Sequence, residues 1–178
     1  MEQYVCAKTI PMLYNLMGEP FSYSVKNMDP ANAEPFRHSV HEVENTGVVS
    51  AAYVRCQGDF HFGFLWHVQE KDLRLLAKKM LGRYHIGAIE NLEISSVSEF
   101  GNILTASIVN AVCNERYCRL ISTVPGFAVE SLRALLGEVI SDFETGSADF
   151  SAFAAEFHGT LSGIKLGMLL VENPPREN

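Results

Sequence analysis

The chain has 178 residues, the size of one domain, and its hydrophobic fraction of 47% is enough to build a core. The formal net charge of -7 argues against a nucleic-acid surface, which would need clustered Lys and Arg side chains to neutralise phosphates. No segment reaches the roughly 18 uninterrupted apolar residues of a membrane helix, and the start lacks the cationic-then-apolar order of a signal peptide, so we expect a cytoplasmic protein.

The N-terminal part of the chain contains one clear helical pattern. Residues 5–17 are apolar with helical periodicity around Pro11 and stop at Gly18, which predicts a short or kinked helix with a glycine stop. Residues 21–25 alternate between apolar and polar side chains like an edge strand. Residues 29–43 combine a loop composition with a stretch that fits either a strand or a helix.

A hairpin is predicted next. Residues 48–56 and 60–68 are rich in β-formers, and the turn residues 57–59 separate them. Aromatic side chains recur at period two in the second strand, which is typical of a core-facing side rather than a stacking platform: Phe60, Phe62, Phe64 and Trp66.

A helix is predicted over residues 69–81, with a stop at Gly82. Its expected inward side chains are Leu73, Leu76, Ala77 and Met80. The apolar periodicity of residues 95–112 predicts a second and longer amphipathic helix.

The C-terminal part of the chain contains three strand patterns and one helical pattern. Residues 119–124 predict a strand that ends at Pro125, and residues 129–143 predict a helix. The expected inward side chains of this helix are Leu132, Leu135, Leu136, Val139 and Ile140. Residues 144–149 have a loop composition, and residues 150–157 and 161–171 predict a second hairpin.

The order of these elements lacks the repeated strand-helix units of a parallel sheet. We therefore predict an α+β fold, an antiparallel β-sheet with packed helices. One domain should cover residues 1–172, and residues 173–178 should form a flexible tail.

Cysteine and histidine spacing indicates neither a disulfide framework nor a metal site. The four cysteines form no CxxC pair, so we expect reduced thiols. His61 and His67 would share one face of a strand but lie about 20 Å apart, because a strand rises about 3.3 Å per residue. They cannot bind one ion, and we expect no metal and no cofactor on this chain.

The helix over residues 95–112 has an unusual outward face. Its expected core side chains are Phe100, Ile103, Leu104, Ser107, Ile108 and Ala111. The opposite face carries Glu99, Asn102, Ala106 and Val109, and is short of charge. An Asn in mid-helix costs about half a kcal/mol relative to Ala. This face is therefore a candidate site.

The spacing around this face resembles the signature of the CheC/CheX/FliY family of chemotaxis phosphatases. The signature is Asp or Ser, three residues, Glu, two residues, Asn, twenty-two residues and Pro. Here Ser95, Glu99, Asn102 and Pro125 occupy those positions. The resemblance covers residues 46–172, and the first 45 residues match poorly. The first helix lacks a second such motif, so the chain looks like the single-site CheX type.

The resemblance implies hydrolysis of the phospho-aspartate on a CheY-like response-regulator receiver domain. Asn102 would position the attacking water, and Glu99 would dock the receiver through a cationic side chain. Ala106 would let the partner approach closely, and Val109 would add an apolar contact. The Mg²⁺ that neutralises the phosphoryl oxygens would belong to the receiver.

Structural interpretations of the same residues stay open. Residues 96–99 fit a capping box, in which Glu99 would bond back to the amide of Ser96. Asn102 fits a plain solvated surface, Ser95 fits a helix-entry residue, and Pro125 fits a strand end.

The alternative function is a non-catalytic CheX- or FliY-like binding or adaptor module in a signalling or flagellar-switch complex. In that case the unmatched first 45 residues would cover the Glu99 and Asn102 face or recruit another partner. We also expect a homodimer, because single-site relatives pair through sheet edges and the apolar strand over residues 161–171 needs a partner or cover.

Overall fold

A seven-stranded antiparallel sheet carries helices on both of its faces. In the computed structural model, the described residues are 1–28, 47–81, 89–144 and 150–173. In chain order the elements are α1 (Glu2–Met17), β1 (Phe21–Met28), β2 (Val48–Gly58), β3 (His61–Gln69), α2 (Glu70–Leu81), α3 (Ile89–Arg116), β4 (Leu120–Ser122), β5 (Gly126–Ser131), α4 (Leu132–Glu144), β6 (Ser151–Gly159) and β7 (Lys165–Asn173). The predicted α+β class with an antiparallel sheet is confirmed.

The strand order is β1-β6-β7-β3-β2, and β4 and β5 both pair with the outer edge of β2. The predicted edge strand β1 does lie at an edge. The last strand, β7, lies between β6 and β3. We expected this strand to need a partner or cover, and β6 and β3 of the same chain pair with it, so the strand itself gives no argument for a dimer. The homodimer itself stays a prediction.

The larger core lies between the sheet and the layer formed by α1, α2 and α3. The aromatic stripe of β3 faces this core as predicted: Phe62, Phe64 and Trp66 are buried, and Phe60 packs against them. The Trp66 indole Nε1 donates a hydrogen bond of 2.9 Å to Thr105 Oγ1, and its ring meets Phe100 edge-on with centroids 5.9 Å apart. These contacts attach α3 to the middle of the sheet.

The predicted glycine stop of α1 and the predicted inward side of α2 are both confirmed. Gly18 adopts the left-handed conformation after α1, and its N–H donates to Tyr14 O at 2.8 Å. In α2 the predicted inward residues Leu73, Leu76 and Ala77 are buried, and Met80 packs against the same core. Gly82 and the stretches 29–43 and 145–149 lie outside the described residues.

The predicted helix over residues 129–143 begins later than the pattern indicated. Residues 126–131 form β5 and pair with β2, and α4 begins only at Leu132. Pairing with an existing strand edge overrides the helical pattern at these positions. The inward side of α4 is confirmed, since the five predicted side chains are buried: Leu132, Leu135, Leu136, Val139 and Ile140.

The last strand also begins later than predicted, at Lys165 instead of residue 161. Leu161 is 79% exposed in the turn that precedes it. The buried carboxylate of Glu19 shapes this turn, because it accepts hydrogen bonds from the N–H groups of Leu161 (2.9 Å) and Ser162 (2.8 Å) and from Ser162 Oγ (2.6 Å). Lys79 Nζ lies 3.5 Å from the same carboxylate.

The Glu19 carboxylate makes stability depend on pH. Burial alone would raise the pKa of Glu19, but the hydrogen bonds from Ser162 and Leu161 and the charge of Lys79 lower it below the ordinary value of 4.5. A lowered folded-state pKa stabilises the fold fully above about pH 4.5, and this contribution is lost as the pH falls through the folded-state value.

We therefore expect the free energy of unfolding in urea to fall with acidification below about pH 4.5, and to fall less steeply in Glu19→Gln. The variant should already be less stable at neutral pH, because an amide accepts the three hydrogen bonds less well than a carboxylate. Parallel pH profiles for the two proteins would contradict this role.

Candidate functional site

Helix α3 carries the predicted site and is longer at both ends than the expected range of 95–112. Where burial is described, its buried positions are Ser96, Val97, Phe100, Gly101, Leu104, Thr105, Ile108, Val109 and Val112. The predicted core positions Ile103, Ser107 and Ala111 are only half-buried. The buried arc is therefore turned relative to the prediction, towards Thr105 and Val109.

Val109 is the predicted site residue whose predicted outward position the structure contradicts. It is 7% exposed and belongs to the core, so the prediction that it faces outward to contact a partner is wrong. The cause is α1, which packs along the C-terminal half of α3 and gives this helix a second buried flank. Tyr4 Oη in α1 donates a hydrogen bond of 3.0 Å to Ala111 O in α3.

The other outward residues do reach the surface. Ser95 and Glu99 are exposed, and Asn102 and Ala106 are half-buried. Glu99 and Asn102 are three residues apart on the helix, so their side chains are neighbours, offset by about 4.5 Å along the axis. The structure thus places a carboxylate and a carboxamide side by side on one accessible face.

The starting residue of α3 excludes the structural interpretations given above for Ser95 and Glu99. The helix starts at Ile89, so Ser95 lies well inside it and the interpretation of Ser95 as a helix-entry residue is wrong. Ser96 Oγ donates to Leu92 O at 2.6 Å, as a hydroxyl does within a helix. The capping-box interpretation of Glu99 is wrong as well, because an amide in mid-helix needs no cap.

Gly101 sets how closely the site helix approaches the sheet. A Cβ atom at this position would lie 2.8 Å from Ala52 Cβ and 3.4 Å from Trp66 Cδ1. Only glycine allows this approach without displacement. Ala52 pairs with Phe127 of β5, which packs against the same core. The residue before Asn102 is therefore held directly on the β2–β5 side of the sheet.

Pro125 lies at an irregularity between β4 and β5. Ser122 pairs with Cys56 and Gly126 pairs with Tyr53, so the strand has one residue more than β2 over this stretch. This is the geometry of a β-bulge, and Pro125 suits it because it has no N–H to donate to a ladder. The adjoining Val124 is 88% exposed. Sequence reasoning missed both the bulge and this apolar side chain, although a Pro within a β-rich run signals a bulge.

The hydrogen bonds of Thr123 fix the start of this bulge. Its N–H donates to Arg55 O at 2.7 Å, and its Oγ1 accepts from the Arg55 N–H at 3.1 Å. The strand therefore stays attached to β2 up to Thr123, and the register shifts only over the next two residues.

Among the described residues, no group of three or more His, Cys, Asp or Glu side chains is arranged to hold a metal ion. His61 and His67 lie at opposite ends of β3. Burial lowers the pKa of His67 to about 4, so its ring is neutral at physiological pH. Cys6, Cys56, Cys113 and Cys118 are all free thiols. In the same described ranges, none of the helices combines the length and apolar character needed to cross a membrane.

Comparison with known proteins rests on the fold. No protein-family model matches the chain, and neither does any curated protein sequence. Among solved structures, the chemotaxis protein CheX from Desulfovibrio desulfuricans matches with a TM-score of 0.64 at 12% identity, over 96% of this chain and 97% of that one. A CheC-like superfamily protein from Shewanella sp. PV-4 matches with a TM-score of 0.66 at 10% identity, over 97% and 96% of the two chains.

A third match is a chain of the CheX–CheY–BeF₃–Mg²⁺ complex from Borrelia burgdorferi, with a TM-score of 0.63 at 11% identity over 97% of both chains. Likeness at such identities establishes the fold. The chain has the fold of CheX and CheC-like chemotaxis proteins, and the resemblance inferred from the spacing of Ser95, Glu99, Asn102 and Pro125 is confirmed at that level.

Proposed function

We propose that this chain hydrolyses the phospho-aspartate of a CheY-like response-regulator receiver domain, in chemotaxis or a related two-component pathway. The observation that carries the proposal is the pairing of an exposed Glu99 with a half-buried Asn102 on the accessible face of α3. The fold shared with CheX structures, one of them in a complex with CheY, BeF₃ and Mg²⁺, supports the same partner class.

Asn102 has the chemistry that this reaction needs. An acyl phosphate is already activated, and its transfer passes through a loose transition state, so catalysis consists mainly of placing a water in line with the bond that breaks. A carboxamide both donates and accepts hydrogen bonds, and being neutral it does not repel the anionic phosphoryl group. The half-buried position of Asn102 restricts its side chain while leaving it in reach of a partner.

Glu99 and Ala106 would define the docking surface around Asn102. An exposed carboxylate one turn before Asn102 pairs with a cationic side chain beside the phosphorylation site of the receiver. Ala106, one turn after Asn102, is small enough for the partner backbone to approach. The Mg²⁺ that neutralises the phosphoryl oxygens belongs to the receiver in this proposal, and the chain itself supplies no cofactor.

The test is to mix the protein with a phosphorylated receiver domain and to follow phosphate release. Release should accelerate over the receiver's own decay and increase with the concentration of this chain. Unchanged decay across several receivers would overturn the proposal. If the receivers still bind in that case, the result would favour the non-catalytic adaptor module.

We expect Glu99→Ala to weaken receiver docking more than it slows the bound reaction. Loss of an exposed ion pair that forms only in the complex should raise KM about 5- to 10-fold, equivalent to roughly 1 to 1.4 kcal/mol, with kcat changed less than about 2-fold. Glu138→Ala, an exposed Glu on the opposite helix α4, is the matched control and should change neither constant. A fall in kcat with KM unchanged would instead assign Glu99 to the chemical step.

The same proposal places the chain in the cytoplasm with its receiver, as a homodimer. With β7 inside the sheet, the dimer would use an edge such as β1 or the β4–β5 side.

A further inference from the structure

The C-terminal end of α3 brings two cysteines together. The helix ends at Arg116, and Tyr117 adopts a left-handed conformation with φ 53° although it is not glycine. The Cys118 N–H donates to Cys113 O at 3.2 Å, a bond that spans five residues. This is the Schellman arrangement, in which the side chains at the two ends of that bond contact each other.

In this cap the side chains at the two positions are neighbours. Cys113 and Cys118 are both half-buried free thiols, and Cys113 is near enough to raise the pKa of Cys118. A disulfide requires Cα atoms about 4.4–6.8 Å apart with the Cβ atoms turned towards each other. The backbone hydrogen bond between Cys118 and Cys113 brings these two residues together without any movement of distant elements.

The geometry points to a site of oxidative modification: we propose that Cys113 and Cys118 form a reversible disulfide when the protein meets a peroxide. In the first step the Cys113 thiolate attacks one peroxide oxygen, the O–O bond breaks, and Cys113 becomes a sulfenic acid while water leaves after taking up a proton. In the second step the Cys118 sulfur attacks that sulfenic sulfur, the S–O bond breaks, and a second water leaves. Two thiols are oxidised and one peroxide is reduced to two waters.

The order of the two steps follows from the surroundings of the thiols. Burial and the neighbouring Cys113 raise the pKa of Cys118, so Cys118 keeps its proton and acts as the resolving thiol. The first attack therefore falls to Cys113.

The other two cysteines provide a contrast within the same chain. Cys6 and Cys56 are fully buried, and burial raises the pKa of Cys6 to about 11 and that of Cys56 to about 12. Neither forms a thiolate readily at neutral pH. Cys56 is close enough to Cys113 for their charges to interact, so it is the competing partner that an experiment must distinguish.

The disulfide would fix the junction between α3 and β4. It would hold Tyr117, which is 95% exposed, in its left-handed conformation. Cys113 lies about 16 Å along the helix from Asn102, at about 1.5 Å per residue. The modification site is thus separate from the Glu99 and Asn102 face, and its existence does not depend on the proposed function.

The experiment treats the folded full chain with a stoichiometric amount of hydrogen peroxide, removes the peroxide, then denatures the protein in an alkylating reagent that blocks the remaining thiols, and maps the tryptic peptides. Trypsin cleaves after Arg116, between the two cysteines, so their disulfide links two separate peptides. We expect this linked pair as the main product, its disappearance with dithiothreitol, and alkylated Cys6 and Cys56. The linked pair should be absent in Cys113→Ser and Cys118→Ser and present in Cys6→Ala.

Three results would overturn the proposal: a main product linking Cys113 to Cys56, sulfinic or sulfonic acid at Cys113 without any linked pair, or equal alkylation of all four cysteines after the peroxide treatment. Circular dichroism of the treated protein confirms that the thiols react in the folded chain, and a linked pair that appears only in urea also contradicts the inference.

Discussion

Asn102→Ala should remove most of the proposed phosphatase activity, about 100-fold or more in kcat, and leave the fold intact. The loss follows because Asn102 is the carboxamide of the pattern, and Ser95, whose neutral hydroxyl also donates and accepts hydrogen bonds, lies about 10 Å away along the helix. Stability should rise slightly, by about half a kcal/mol, because Ala is the better helix former at a half-buried helical position. Phosphate release from a phosphorylated receiver and urea unfolding measure the two effects separately.

Asn110→Ala is the matched control for this change. Asn110 is an exposed Asn on the same helix, about two turns further along, so it undergoes the same chemical change in the same element. It should gain similar stability and keep full activity. Full activity in Asn102→Ala, or an equal loss in both variants, would remove Asn102 from the mechanism.

The position of the Glu99 and Asn102 face could be predicted from the sequence because both residues lie well away from the apolar stripe. The burial of Val109 could not be predicted. At about 100° per residue, Val109 falls about 170° from the centre of the predicted core side, so its burial depends on a second packing partner. That partner is α1, which lies more than 90 residues earlier in the chain. The local sequence pattern of α3 does not indicate that α1 packs against it.

The strand β5 shows the same dependence on distant residues. Residues 129–131 show no strong alternation, so the local pattern favours including them in the following helix, as the prediction of a helix over residues 129–143 did. What makes β5 a strand is the edge of β2, whose paired residues lie 73 to 83 positions earlier in sequence. The aromatic stripe of β3, in contrast, was predictable because its period repeats within one element.

The burial of Glu19 is a third feature that could not be predicted from the sequence. A lone Glu after a helix stop carries no sequence signal of burial, and charged side chains are rarely buried without partners. Its partners, at Leu161 and Ser162, come from the opposite end of the chain. Core elements and exposed motif residues were therefore accessible to sequence reasoning, whereas contacts between distant segments required the structure.

The contact between Gly101 and Ala52 links the fold to the proposed chemistry, because it fixes the height of α3 over the sheet directly beside Asn102. We expect Gly101→Leu to lower the free energy of unfolding by about 3 kcal/mol, since the new side chain would overlap Ala52 and Trp66. Activity should fall even in the folded fraction, because a displacement of about 1 Å at a positioning group reduces rates about 100-fold.

Gly137→Leu separates this steric effect from helix propensity. Gly137 is an exposed glycine in α4 with nothing within 4 Å of an added Cβ, so the same exchange should stabilise the protein by up to about 1 kcal/mol and leave activity unchanged. Opposite signs in urea unfolding for the two variants would show that the approach of α3 to β2, and not glycine's helix propensity, decides the result. A neutral or stabilising Gly101→Leu would mean that the site helix tolerates a greater distance from the sheet, and that Asn102 is positioned by some other contact.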